Sequence, residues 1–132
     1  MARPKASSVP PPLHELESEV MEQVWREDRP TTVRSVMDAL NQRAAKERAY
    51  TTIMTIMRRL DAKGLLSRRR DGKTDIYSAR LSRDDYLEAR ARAEVGALVD
   101  EFGDAALVHF ARHMNRLDRK RRDQLRRLAE DG

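Results

Sequence analysis

The chain is 132 residues long, enough for one domain or for a small domain with an appended interaction segment. Apolar residues make up 39% and charged residues 37%, so the core is small and the surface ionic, and the absence of cysteine excludes disulfides, thiolate zinc sites and cysteine redox chemistry. The net charge of +5 resides in residues 1–81, with 16 Lys/Arg against 11 Asp/Glu, while residues 82–132 hold 11 of each.

Met1–Pro12 is small, polar and proline-rich, which predicts a disordered tail. It lacks the apolar stretch of a secretory signal, and no apolar run approaches the ~20 residues of a membrane span. A cytoplasmic protein without membrane insertion is expected. Leu13, Leu16, Val20 and Val24, with Met21 and Trp25 beside them, recur at helical spacing and predict a helix over about 13–26. The run from Arg26 to Pro30 breaks it. Thr31 or Thr32 can cap a second helix with the stripe Val33, Val36, Met37, Leu40 and Ala44. Thr51 or Thr52 opens a third, with Ile53, Ile56, Met57 and Leu60 as its stripe and Gly64 at its C-terminal end.

The period then changes. Leu65–Arg70 and Lys73–Ser78 read as two strands around an Asp71-Gly72 hairpin turn. Ser82-Arg83-Asp84-Asp85 resembles a capping box with Asp for Glu, and a long helix follows over about 83–102. Its apolar positions are Leu87, Ala91, Val95, Leu98 and Phe102. Gly103-Asp104 interrupts, Ala105–Met114 forms a fifth helix, and Asp118 caps a sixth that contains Leu125 and Leu128. The expected fold is mainly α: a disordered tail over 1–12, a winged helix-turn-helix over 13–81, and a helical dimerisation segment over 82–132.

Residues 43–73 hold ten basic groups against three acids, +7 in 31 residues, a field suited to a polyanion. At ~100° per residue, the face of the third helix opposite its apolar stripe carries Thr51, Thr55, Arg58 and Ala62, with Thr52 and Arg59 at its edge. Hydroxyls and guanidinium groups on such a face can reach phosphates and base edges in a major groove. Arg68, Arg69, Arg70 and Lys73 flank the hairpin turn, as in a wing that grips the backbone or enters the minor groove. A solvated basic face and a charged, aggregation-resistant strand edge would show the same residues. Leu87, Val95, Leu98, Phe102, Leu107, Phe110, Leu125 and Leu128 are expected to bury themselves in a homodimer, because three helices with aliphatic stripes and zero net charge rarely close a core alone.

No catalytic cluster stands out, so no enzyme and no cofactor are expected. His109 and His113 are four residues apart, but Phe110 occupies the place of a zincin glutamate, and no metal site is expected. An alternative function from a different class is a protein-interaction module whose basic face takes an acidic partner.

Certain motifs point further: Leu16–Met21 with Val24-Trp25, Thr32–Val36, Ala49–Thr55, Arg59-Leu60 with Lys63–Leu65, Arg70–Gly72 with Tyr77, and Ala106–Phe110. Through them the chain resembles the penicillinase repressor family (BlaI/MecI type) over about residues 13–130, and its Arg and Ala bias resembles actinobacterial members. The resemblance implies a dimeric repressor that inserts helix three into the major groove of an inverted-repeat operator of β-lactam-resistance or related genes. It places DNA contacts on Thr51, Thr52, Thr55 and Arg59, with the wing on the backbone. It also implies release by proteolysis, triggered through a membrane-bound sensor protease, at the bond that aligns with His109–Phe110. The family's best-known members have Asn where this chain has His109. Copper sensing through a C-terminal cysteine cluster, known in related repressors, is excluded by the lack of Cys.

Overall fold

The computed structural model describes residues 9–43 and 46–131. In chain order the elements are α1 (Glu15–Glu27), α2 (Val33–Arg43), α3 (Tyr50–Ala62), β1 (Leu66–Asp71), β2 (Thr74–Ala79), α4 (Arg83–Phe102), α5 (Asp104–Asn115) and α6 (Arg119–Asp131). Three helices followed by an antiparallel hairpin make the expected winged helix. The described residues up to Ala91 form one compact unit and those from Arg92 a second, and α4 is continuous through the division. Among the described residues no helix is long and apolar enough to cross a membrane.

The first unit closes around the stripes the sequence announces. Val20, Met21 and Val24 of α1, Val33, Val36 and Leu40 of α2, and Ile53, Ile56, Met57 and Leu60 of α3 are buried together with Leu65, Leu66, Tyr77 and Tyr86. Glu17 joins this stripe at the 17, 20, 21, 24 spacing and is only 1% exposed. Its carboxylate takes both oxygens to Lys63 Nζ, at 2.9 and 2.8 Å, and accepts the His14 amide at 3.0 Å. Burial pushes this carboxyl up, but the bonds from Lys63 and His14 outweigh it and hold it below the ordinary value. The beginning of α1 is thereby tied to the end of α3. On the other side, the indole of Trp25 donates to the Leu81 carbonyl at 2.9 Å and its ring lies 5.5 Å from that of Tyr86.

Local geometry corrects two sequence expectations and decides between the alternatives of a third. Ala49, not Thr51 or Thr52, is the N-cap of α3, so both threonines sit within its first turn. At α2 the second of the two offered caps is used: the Ser35 amide donates to Thr32 Oγ1 at 3.1 Å. The hairpin turn is Gly72-Lys73 rather than Asp71-Gly72, because Asp71 pairs with Thr74. Gly72 has φ +62° while Lys73 stays at negative φ, the pattern of a type II′ turn, which places glycine first. At the end of α3, Gly64 has φ +84°; the Leu65 amide reaches Leu60 O at 2.9 Å and the Gly64 amide reaches Asp61 O at 3.0 Å, a Schellman motif.

One pairing has no counterpart in the sequence reading. Thr31, between α1 and α2, exchanges both backbone bonds with Tyr77 of β2, each 2.8 Å long. Of the tail expected over 1–12, Met1–Ser8 lie outside the described residues, while the carbonyls of Pro10 and Pro11 accept bonds from Arg90 and the Tyr86 hydroxyl. Ala44, expected at the end of the α2 stripe, also lies outside the described residues.

In the second unit the caps fall where expected: Gly103 (φ +60°) separates α4 from α5, and the Arg121 amide donates to Asp118 Oδ1 at 2.8 Å. Neither α5 nor α6 has a buried residue. Leu87 at the start of α4, and Val95, Leu98, Leu107 and Phe110 beyond it, are exposed, as are Phe102 at 56% and Leu128 at 65%; Leu125 is half-buried. A depression of about 390 Å³ on this unit is lined by Leu98, Phe102, Ala105, Ala106, His109 and Phe110. Among the described residues no group of three or more potential ligands could hold a metal, and His109 and His113 remain an exposed pair.

Candidate nucleic-acid interface

The helical period of α3 divides its side chains cleanly. Ile53, Ile56, Met57 and Leu60 face the core, and Thr51, Thr52, Thr55, Arg58, Arg59 and Ala62 are exposed. The Thr55 hydroxyl donates back to the Thr51 carbonyl at 2.8 Å. Tyr50, the first residue of α3, is exposed, and the Arg34 guanidinium of α2 lies 5.9 Å above its ring. Arg34 thus joins this surface although the sequence reading passed it over; its place on the polar face of α2 was the available signal.

The hairpin separates the three consecutive wing arginines. Directly opposed residues of an antiparallel pair share a face, and the face alternates with every residue. Arg68, opposite Tyr77, and Arg70, opposite Asp75, lie on one face; Arg69, opposite Ile76, lies on the other. On the first face Asp75 gathers cations. Its carboxylate is 3.1 Å from Arg70, 3.7 Å from Arg68 and 3.9 Å from Arg58 of α3. Arg68 also stands 3.6 Å from Asp61. Tyr77 closes the inner end: burial pushes its phenol above the ordinary range, with Arg68 opposing and Asp75 adding to the shift.

The basic segment over 43–73 is therefore less naked than its composition suggests. Lys63 is held by Glu17, Arg48 lies 3.9 Å from Glu19, and Arg43 donates to the Gln23 side chain. Counting Glu17, Glu19 and Asp75 with the segment lowers its charge from +7 to +4. Among the described residues of the segment Arg43, Lys46, Arg59, Arg69 and Lys73 have no acidic partner. A groove of about 430 Å³ runs between α2, α3 and the wing, lined among others by Arg34, Tyr50, Arg58, Arg70, Lys73 and Asp75. Four cations against one acid make this an anion-attracting concavity.

Residues 13–131 match the model of the family described as penicillinase repressor. The chain belongs to this family. The repressor is 39% identical over 121 residues to the transcriptional regulator BlaI of Mycobacterium tuberculosis, in two strains, a match covering 89% of this chain and 83% of the relative. It is similar to the solution structure of the DNA-binding domain of the repressor BlaI, with 25% identity and a TM-score of 0.50, covering 60% of this chain and 92% of that one. A second similar structure is Bacillus licheniformis BlaI, monomeric form, in complex with the blaP half-operator: 26% identity, TM-score 0.47, 58% of this chain and 90% of that one. The chain is a BlaI-like transcriptional repressor with a winged-helix DNA-binding domain, and not an enzyme.

Proposed function

We propose that this repressor binds an inverted-repeat operator as a homodimer. Each protomer lays α3 in a major groove and its wing along the backbone. Thr51, Thr52, Thr55 and Arg59 face base edges and nearby phosphates, and Arg58, Arg68, Arg69, Arg70 and Lys73 supply the electrostatic grip. The observation that carries this reading is the exposed Thr/Arg face of α3 lying beside the basic wing in one compact unit. The apolar side chains left exposed on α4, α5 and α6, from Leu87 to Leu128, support dimerisation, because a second copy would remove them from water. The test is fluorescence anisotropy of the full chain on its own promoter DNA and on random DNA, with sedimentation in parallel. A dimer that prefers the promoter is expected. A monomer at micromolar concentration, or equal affinity for both DNAs, overturns the reading.

Release follows from the same segment. His109–Phe110 lies in the middle of α5, whose apolar side chains a second copy would cover, so a cut there needs local opening or a dissociated pool of repressor. A cut at this bond, reached through a membrane-bound sensor protease, would detach residues 110–132 with Leu125 and Leu128, and the two winged helices would fall back to half-site binding. Mass spectrometry of the repressor from cells treated with a β-lactam should find fragments ending at His109. An intact chain during full induction means that release takes another route.

A further inference from the structure

Asp75 is the carboxylate on which the cations of the wing and of α3 converge. Its side chain is 16% exposed, whereas those of Arg58, Arg68 and Arg70 are 51%, 38% and 61% exposed. The contacts come from two elements: Arg68 and Arg70 on β1, across the hairpin, and Arg58 on the outer face of α3. Arg70 is further fixed by a bond from its Nε to the Gly72 carbonyl at 3.2 Å.

Such an arrangement has two effects. First, it aims the three guanidinium groups, which would otherwise sweep freely on long side chains. Second, it occupies them with a resident anion, so a DNA phosphate reaching them meets a negative charge already in place. Binding to DNA of arbitrary sequence rests almost wholly on phosphate contacts and counterion release. Operator binding adds base-edge contacts from side chains that Asp75 does not touch. A resident carboxylate therefore subtracts proportionally more from the first than from the second.

We propose that Asp75 is a positioning residue that restrains Arg58, Arg68 and Arg70 and holds down the repressor's affinity for random DNA, widening its discrimination in favour of the operator. This rests on the reading of α3 and the wing as the DNA-facing surface. Asp75→Asn keeps the shape and an oxygen for Arg70 but removes the charge. Its expected effect on random DNA is about a five-fold gain in affinity for each winged helix engaged, the equivalent of the ~1 kcal/mol between unit charges 4 Å apart in water. The plot of log affinity against log salt should steepen by ~0.9 per winged helix, the contribution of one further phosphate. The operator should gain less, so the ratio between the two narrows. Asp75→Ser should move the slope in the same direction, and Asp75→Glu, which keeps the charge, should retain the wild-type slope.

The experiment is anisotropy of the full chain on operator and random duplexes across a salt series, with thermal unfolding of each variant alongside. Unchanged or weakened random-DNA affinity in both neutral variants overturns the proposal, and a loss on both DNAs together with a lowered melting temperature makes Asp75 only a hairpin fastener. Arg59→Ala and Lys73→Ala separate the two layers of argument. If neither affects binding to either DNA, the DNA-facing surface itself is misplaced. If both weaken binding while the neutral Asp75 variants leave random-DNA affinity and slope where they were, only the role of Asp75 fails.

Discussion

Lys63→Met tests how the repressor's small core tolerates a charge. Methionine keeps the apolar stem of Lys63 but leaves the Glu17 carboxylate, 1% exposed, with only the His14 amide. Removing one partner of a buried ion pair costs ~3–5 kcal/mol. The Lys63 side chain is 26% exposed, so water can partly replace it, and the low end of ~3 kcal/mol is expected. The pH dependence gives a sharper signature. In the wild type the Glu17 carboxyl lies below its ordinary value of 4.5. Its stabilising contribution is thus present above about pH 4.5 and is lost as pH falls through the lower folded value. Without Lys63, burial dominates and the carboxyl rises above 4.5, so the variant gains relative stability on acidification. Urea unfolding at one fixed protein concentration should find the gap widest near neutral pH and narrowing progressively as pH falls from the variant's raised carboxyl value to the wild type's lowered one. Adding Glu17→Gln should recover much of the loss at pH 7. A loss below ~1 kcal/mol, or one that stays constant between neutral and acid pH, would refute a buried, paired Glu17.

Further outcomes follow from the interface and the second unit. If Lys46, Arg59, Arg69 and Lys73 each neutralise one phosphate per winged helix, a dimer on its operator should lose ~10⁴-fold in affinity between about 50 and 200 mM salt, measured by anisotropy; a flat dependence would contradict the electrostatic grip. Thr55→Ala and Arg59→Ala should each reduce operator discrimination by ~1–3 kcal/mol, whereas Arg69→Ala should weaken both DNAs alike. Phe102→Asp should yield a folded monomer by sedimentation, because it places a charge among the exposed apolar side chains of α4 and α5; a persistent dimer would locate the interface elsewhere. Truncation after Ala91 should leave a folded winged helix by circular dichroism, whereas truncation after Ala79 removes Leu81 and Tyr86 from Trp25 and should lower its melting temperature.

What the sequence made legible was whatever depends on neighbours within a few positions. The stripes of α1, α2 and α3, the Gly64 terminus and the Asp118 cap all rest on spacings of one to four residues. The turn was misplaced by one residue because Asp-Gly is a strong local signal, while the register is decided by which face of β2 buries Tyr77. The Glu17–Lys63 pair spans 46 positions, and only an acid standing on an apolar stripe hinted at it. The Asp75 cluster was out of reach for a related reason. Composition counts Arg68, Arg69 and Arg70 as one block of charge, but the pleat sends them to opposite faces and the hairpin register decides which of them meet a carboxylate.

The bond pair between Thr31 and Tyr77 makes the wing a cantilever. Its root is clamped twice, once by β1 and once by the α1–α2 connection, and the ring of Tyr77 is sunk in the core at the same point. From there to the Gly72-Lys73 tip the strands have each other and, at Asp75, the Arg58 side chain of α3. A beam built this way bends most at its free end and least at its base. In the proposed complex the tip would follow the local width of a DNA groove, while the base would transmit little of that movement to α3, whose orientation is set by the core.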